Sequence, residues 1–158
     1  MNKLLYKIIT LGLMLAFNLS GLANAGEINT GSRGIVAIKG YDAVAYFTER
    51  RAVKGELTIS HNWLGAIWRF SNEKHKTLFS QNPVKYAPQY GGYCADGIAL
   101  GDIVKTFDPE AWLIIDGKLY LNADQAAATE LEEVEGQLEK SVANWPKLRA
   151  TLVENSDE

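Results

Sequence analysis

The chain has 158 residues, with 16 lysines and arginines against 19 acidic side chains and a formal net charge of −3. That balance gives no basic face for nucleic acid, whose phosphate backbone demands one. A single cysteine cannot close an internal disulfide, and both methionines, Met1 and Met14, sit at the extreme N-terminus, which leaves no thioether set for a methionine-rich copper carrier.

Lys3 and Lys7 precede an almost unbroken apolar run, Ile8 to Phe17, and Ala23-Asn24-Ala25 follows as a small-residue cleavage pattern. This predicts a signal peptide over 1–25, a mature chain starting at Gly26, and export to a bacterial periplasm or beyond. A membrane anchor would need about 20 apolar residues, and Asn18 and Ser20 interrupt the run well before that. No stable membrane insertion is therefore expected after cleavage. Loss of Lys3 and Lys7 takes the net charge to about −5, and the remainder is long enough for one domain with its own core.

Residues 26–34, rich in glycine, serine and threonine, read as a flexible lead-in to a domain over 35–148. Leu57, Ile59, His61 and Trp63 alternate with polar residues, the period of a half-buried strand. Leu64-Gly65 then supplies a turn, and 66–70 the returning strand. Ser71 is the expected N-cap of a helix over 72–81, ended by Asn82-Pro83, with His75, Leu78 and Phe79 on its apolar face. The stretch 86–97 holds Cys94, the Gly91-Gly92 pair, Tyr86, Tyr90 and Tyr93. It is a poor helix and a poor strand, and it either wedges the fold together or lines a site. Asp116-Gly117 between 111–115 and 118–121 is the strongest hairpin signal, because a type I′ turn needs positive φ at both central positions. From Asp124 the pattern turns helical through Leu131, Val134, Leu138, Val142 and Trp145, weakened at Gly136 and ended by Pro146, with a frayed tail over 149–158. The expected fold is α+β: a small antiparallel sheet, with hairpins near 57–70 and 111–121, packed against two or three helices.

The order of these pieces resembles the YHS domain family, in its exported branch. The likeness is carried by Gly40-Tyr-Asp-Ala-Val-Ala-Tyr46, by Trp68-Arg-Phe-Ser-Asn-Glu-Lys-His75 with Leu78-Phe79 and Asn82-Pro83-Val-Lys-Tyr86, and by Tyr86 to Ala95. Asp108-Pro-Glu-Ala-Trp112, Asp116 to Asn122 and Asn144-Trp-Pro-Lys-Leu148 extend it to about 34–148. The resemblance implies the fold and a role in metal handling. The chain departs from the family's cysteine pattern, however. Ser71 and His75 stand where the family's strand-end cysteines fall, and alanine, at 43 or 45, replaces the opening one. Serine and alanine are not soft ligands, so most of a thiolate set is gone.

Cys94, His61 and His75 remain as a conceivable three-ligand metal set, of a kind that copper or zinc accepts. Against it stands a buried, packing Cys94 with two semi-buried histidines. Tyr90, Tyr93 and Trp112 are ligand-binding candidates, or else core aromatics. Glu130, Glu132, Glu133, Glu135 and Glu139 read as a solvated helix face. No G-x-S-x-G, H-E-x-x-H, phosphate-binding glycine loop or C-x-x-C is present. The sequence thus points to an exported, non-enzymatic protein that binds a small ligand or metal ion, with no nucleic-acid partner and an unknown protein partner. Two alternatives stay open, a structural or interaction module and a thiol-dependent enzyme built on Cys94.

Overall fold

The computed structural model describes residues 27–31 and 34–154, so the predicted leader and the last four residues of the tail lie outside it. The fold is α+β. In chain order it runs α1 (Ala43–Thr48), β1 (Ser60–Trp63), β2 (Ala66–Arg69), α2 (Glu73–Gln81), α3 (Pro83–Tyr86), α4 (Ala95–Ala99), β3 (Trp112–Ile115), β4 (Lys118–Leu121), α5 (Gln125–Glu133) and α6 (Gln137–Glu154). Short 3-10 turns over Ala37–Gly40 and Gln89–Gly92 complete the list for the described residues.

The two predicted hairpins form, as two separate antiparallel ladders. Asn62 pairs with Ile67 in the first, and Ile114 with Leu119 in the second. Both tight turns have positive φ at both central residues, Leu64 and Gly65 (48° and 71°) and Asp116 and Gly117 (50° and 73°). This is the backbone a two-residue hairpin turn requires.

The second hairpin is the wall between two core clusters. Its alternate residues face opposite ways. Leu119 and Leu121, with Trp112 and Ile114, pack on a cluster containing Ile38, Tyr46, Trp68, Phe70 and Phe79. Tyr120, with Leu113 and Ile115, packs on Tyr90, Tyr93, Ile98 and Leu131. In the first cluster Phe79 gathers the aromatic rings, with centroids 4.8 Å from Trp68, 5.2 Å from Phe70 and 5.8 Å edge-on from Trp63. Such pairs add about 0.5–1.5 kcal/mol each beyond the area they bury.

Several boundaries differ from expectation. The cap of α2 is Asn72, whose side chain accepts from His75 N–H, because the Ser71 hydroxyl is engaged elsewhere. The long C-terminal helix is broken by Gly136 (φ 78°) into α5 and α6. Pro146, expected to end it, lies inside α6, which continues to residue 154. As far as residue 152 the tail is held, because Leu148 and Leu152 pack on the second cluster and Arg149 pairs with Glu27. The lead-in is likewise packed where it is described. Ile28 and Asn29 are buried, and the Asn29 amide donates to the carbonyls of Gly92 and Lys105 at 3.0 and 2.8 Å. Among the described residues no helix is long and apolar enough to cross a membrane.

Candidate functional site

Cys94 is a helix cap. It precedes α4, is buried, and its Sγ accepts from the backbone N–H of Gly97 and Ala123 at 3.4 and 3.2 Å. The thiol thereby joins α4 to the strand exit after β4.

His75 points elsewhere. From the first turn of α2 its Nδ1 reaches Asp42 Oδ2 at 2.7 Å, and its Nε2 reaches the Thr48 hydroxyl at 3.1 Å and Glu49 Oε1 at 3.9 Å. His61 sits on β1 opposite Trp68, edge-on to Phe79 at 6.3 Å between centroids. Among the described residues no three His, Cys, Asp or Glu side chains converge to hold a metal ion. Cys94, His61 and His75 are therefore not brought together as a ligand set. The physical reason is that each has a separate packing task on a different element.

The polar node around Asp42 escaped sequence reasoning. Asp42 caps α1, its Oδ1 accepting from Val44 and Ala45 N–H, while Oδ2 accepts from both the backbone N–H and the hydroxyl of Ser71. An aspartate directly before an apolar helical run is an N-cap signal, and it could have been read as one. What it could not show was that the other oxygen reaches 33 residues along to His75. The order Asp42–His75–Thr48 is that of a nucleophile relay. Thr48, however, also donates to the Val44 carbonyl at 3.1 Å, closing the last turn of α1. Its single proton thus has a competing acceptor, and the arrangement fastens α1 to α2.

The aromatic candidates separate. Trp112 stacks edge-on to Tyr46 at 5.4 Å within the first cluster. Tyr93 is buried beside Trp145 at 6.4 Å between centroids. Only Tyr90 lines the cleft at the seam of the two clusters.

That cleft has a volume of about 320 Å³, within the lower range of small-ligand sites. Trp63 and Leu64 of the first hairpin form one wall, Trp145 and Arg149 of α6 another, and Val84, Pro88 and Tyr90 the third. Tyr90 is fixed from behind: its hydroxyl shares a 2.7 Å hydrogen bond with Ser141, and its ring meets Trp145 at 5.4 Å and Tyr120 at 5.9 Å. Burial pushes the Tyr90 phenol above its ordinary pKa. The lead-in closes the remaining side, where Arg149 Nε and Nη2 donate to Glu27 Oε1 at 3.0 and 2.6 Å. The two charges cancel, so the cleft offers ring faces and backbone and no net charge.

The glycine pair explains how the lead-in reaches this seam. Asn29 N–H donates to the Gly91 carbonyl at 2.9 Å, and a Cβ at Gly91 would lie 1.8 Å from the Glu27 carbonyl oxygen. The tyrosine–glycine stretch thus does both things its composition allowed, locking the fold and lining a cleft.

In comparison with known proteins, no family model, no curated protein and no solved structure matches the chain.

Proposed function

We propose that this chain is an exported, YHS-like, non-enzymatic binding protein whose ligand is a small, planar, largely apolar molecule held in the Trp63–Tyr90–Trp145 cleft. The observation that carries the reading is the cleft itself, three aromatic side chains and Pro88 around a charge-neutral opening. Flat ring faces favour offset or edge contacts with another ring, and they lose no hydrogen bond when water is displaced. The leader pattern of Lys3, Lys7 and Ala23-Asn24-Ala25 supports export. Metal handling is the weaker form of the proposal, because Cys94 and His75 are committed to backbone and carboxylate partners.

Tryptophan fluorescence tests the cleft, with 2-naphthol as the probe. Saturable quenching is expected for the wild type. Val84 is exposed at the rim, so Val84→Phe should weaken binding about tenfold or more without lowering Tm. Equal quenching in the two proteins would refute the cleft. The packing roles of Cys94 and His75 favour a second reading, a structural or interaction module, for which no planar probe saturates.

A further inference from the structure

Three cations meet at the left-handed turn through Ile38, Lys39 and Gly40 (φ 41°, 53° and 75°). Lys54 bridges Tyr41 across this turn, its ammonium donates to the Lys39 carbonyl, and it stands 4.3 Å over the Tyr41 ring. The Lys39 ammonium donates to the Phe107 carbonyl at 2.7 Å and stands 4.7 Å over the Phe107 ring. Arg69, the last residue of β2, lays its side chain on Gly40, where a Cβ would meet Arg69 Cδ at 3.3 Å and Nη1 at 3.5 Å.

None of the three meets a carboxylate among the described residues. Arg69 Nε is buried without an acceptor there. A buried guanidinium N–H left unpaired costs free energy, and native structures rarely leave one so. Burial, Arg69 and Lys39, in that order, push the Lys54 pKa down. In a chain with 19 acidic side chains, a cluster of like charges held together without a counter-charge calls for one from outside.

The geometry points to an oxyanion site at Lys39, Lys54 and Arg69 that takes a phosphoryl group, with Arg69 contributing its guanidinium and the two lysines, held in place by carbonyl and ring contacts, contributing point charges. A tetrahedral, multiply charged oxyanion suits this set, because a guanidinium edge bonds two of its oxygens while ammonium groups act as point charges on the others. The site lies apart from the aromatic cleft and does not depend on it.

Isothermal titration with inorganic phosphate tests for a soluble ligand, and sedimentation with phosphatidylglycerol against phosphatidylcholine vesicles tests for a lipid headgroup. Saturable phosphate uptake, or retention on the anionic vesicles alone, is expected, and it should weaken about tenfold or more in Arg69→Gln and Lys54→Gln. In phosphate-free buffer Lys54→Gln should keep or raise Tm, since it relieves repulsion. Lys54 is exposed, so that variant decides the matter even where Arg69→Gln fails to fold. Lys76→Gln, at a lysine whose ammonium pairs with Glu73, and Val84→Phe should bind phosphate as the wild type does. Failure of both arms, unchanged affinity in Lys54→Gln, or equal stabilisation by chloride at matched ionic strength would overturn the site.

Discussion

Five hydrogen bonds end on the Asp42 carboxylate, two from the start of α1, two from Ser71 and one from His75 Nδ1. Oδ2 lies 2.7 Å from His75 Nδ1, and Nε2 faces the Thr48 hydroxyl at 3.1 Å, so the imidazole bridges α1 through both of its nitrogens. Removing the carboxylate strands a buried imidazole and three N–H groups, whereas removing the Ser71 hydroxyl leaves the rest of the node intact. Asp42→Ala should therefore cost about 3–5 kcal/mol and Ser71→Ala about 1 kcal/mol, read from urea unfolding at neutral pH. Similar costs for the two variants would show that the carboxylate is not the hub. His75 was legible in the sequence as a residue on an apolar helix face. Its partner was not, because 33 residues separate it from Asp42 and no periodicity spans that gap.

At the scale of elements, Gly91 and Gly136 share a left-handed backbone, with φ of 63° and 78°, and differ in surroundings. A Cβ at Gly136 meets nothing within 4 Å, while one at Gly91 runs into the Glu27 carbonyl. Gly136→Ala should therefore cost only the conformational penalty, about 1 kcal/mol. Gly91→Ala adds a backbone clash that must expel the lead-in, and it should cost at least about 2–3 kcal/mol, with new protease sensitivity near residue 28. Equal chemical-denaturation midpoints for the two variants would disprove the docking argument. The two hairpins were readable because alternation and turn chemistry are local. The C-terminal helix was read past its break at Gly136 and stopped short at Pro146. There, burial of Leu148 and Leu152 against the second cluster outweighs the missing proline N–H.

Across the whole molecule, burial raises the phenol pKa of Tyr46, Tyr90, Tyr93 and Tyr120 above the ordinary value of 10.0. A raised folded-state pKa means that the unfolded chain releases these protons first. The stability this gives is complete below pH 10 and is lost as pH climbs above it. Lys54, pushed below its ordinary 10.5, works in the opposite sense, since its penalty fades as it deprotonates. With four groups against one, stability should fall above about pH 10. Absorbance at 295 nm and far-ultraviolet circular dichroism should then change together, the buried tyrosines ionising only as the chain unfolds. Ordinary tyrosine titration with the dichroism intact would contradict their burial.

Local pattern was enough for the α+β class, for both hairpins with their turns, and for the starts of α2 and α5 to within a residue or two, and it singled out the 86–97 stretch. All of these depend on residues fewer than about ten positions apart, where dihedral preference and side-chain period act directly. Tertiary structure alone decided that the lead-in is docked, that Cys94 caps a helix, and that His75 serves Asp42. It also decided that Tyr90 faces a cleft while Trp112 stacks on Tyr46. Those outcomes follow from which distant groups share one interior. A buried donor or acceptor bonds to whatever partner the packing brings within about 3 Å, and the chain's local pattern holds no record of that partner.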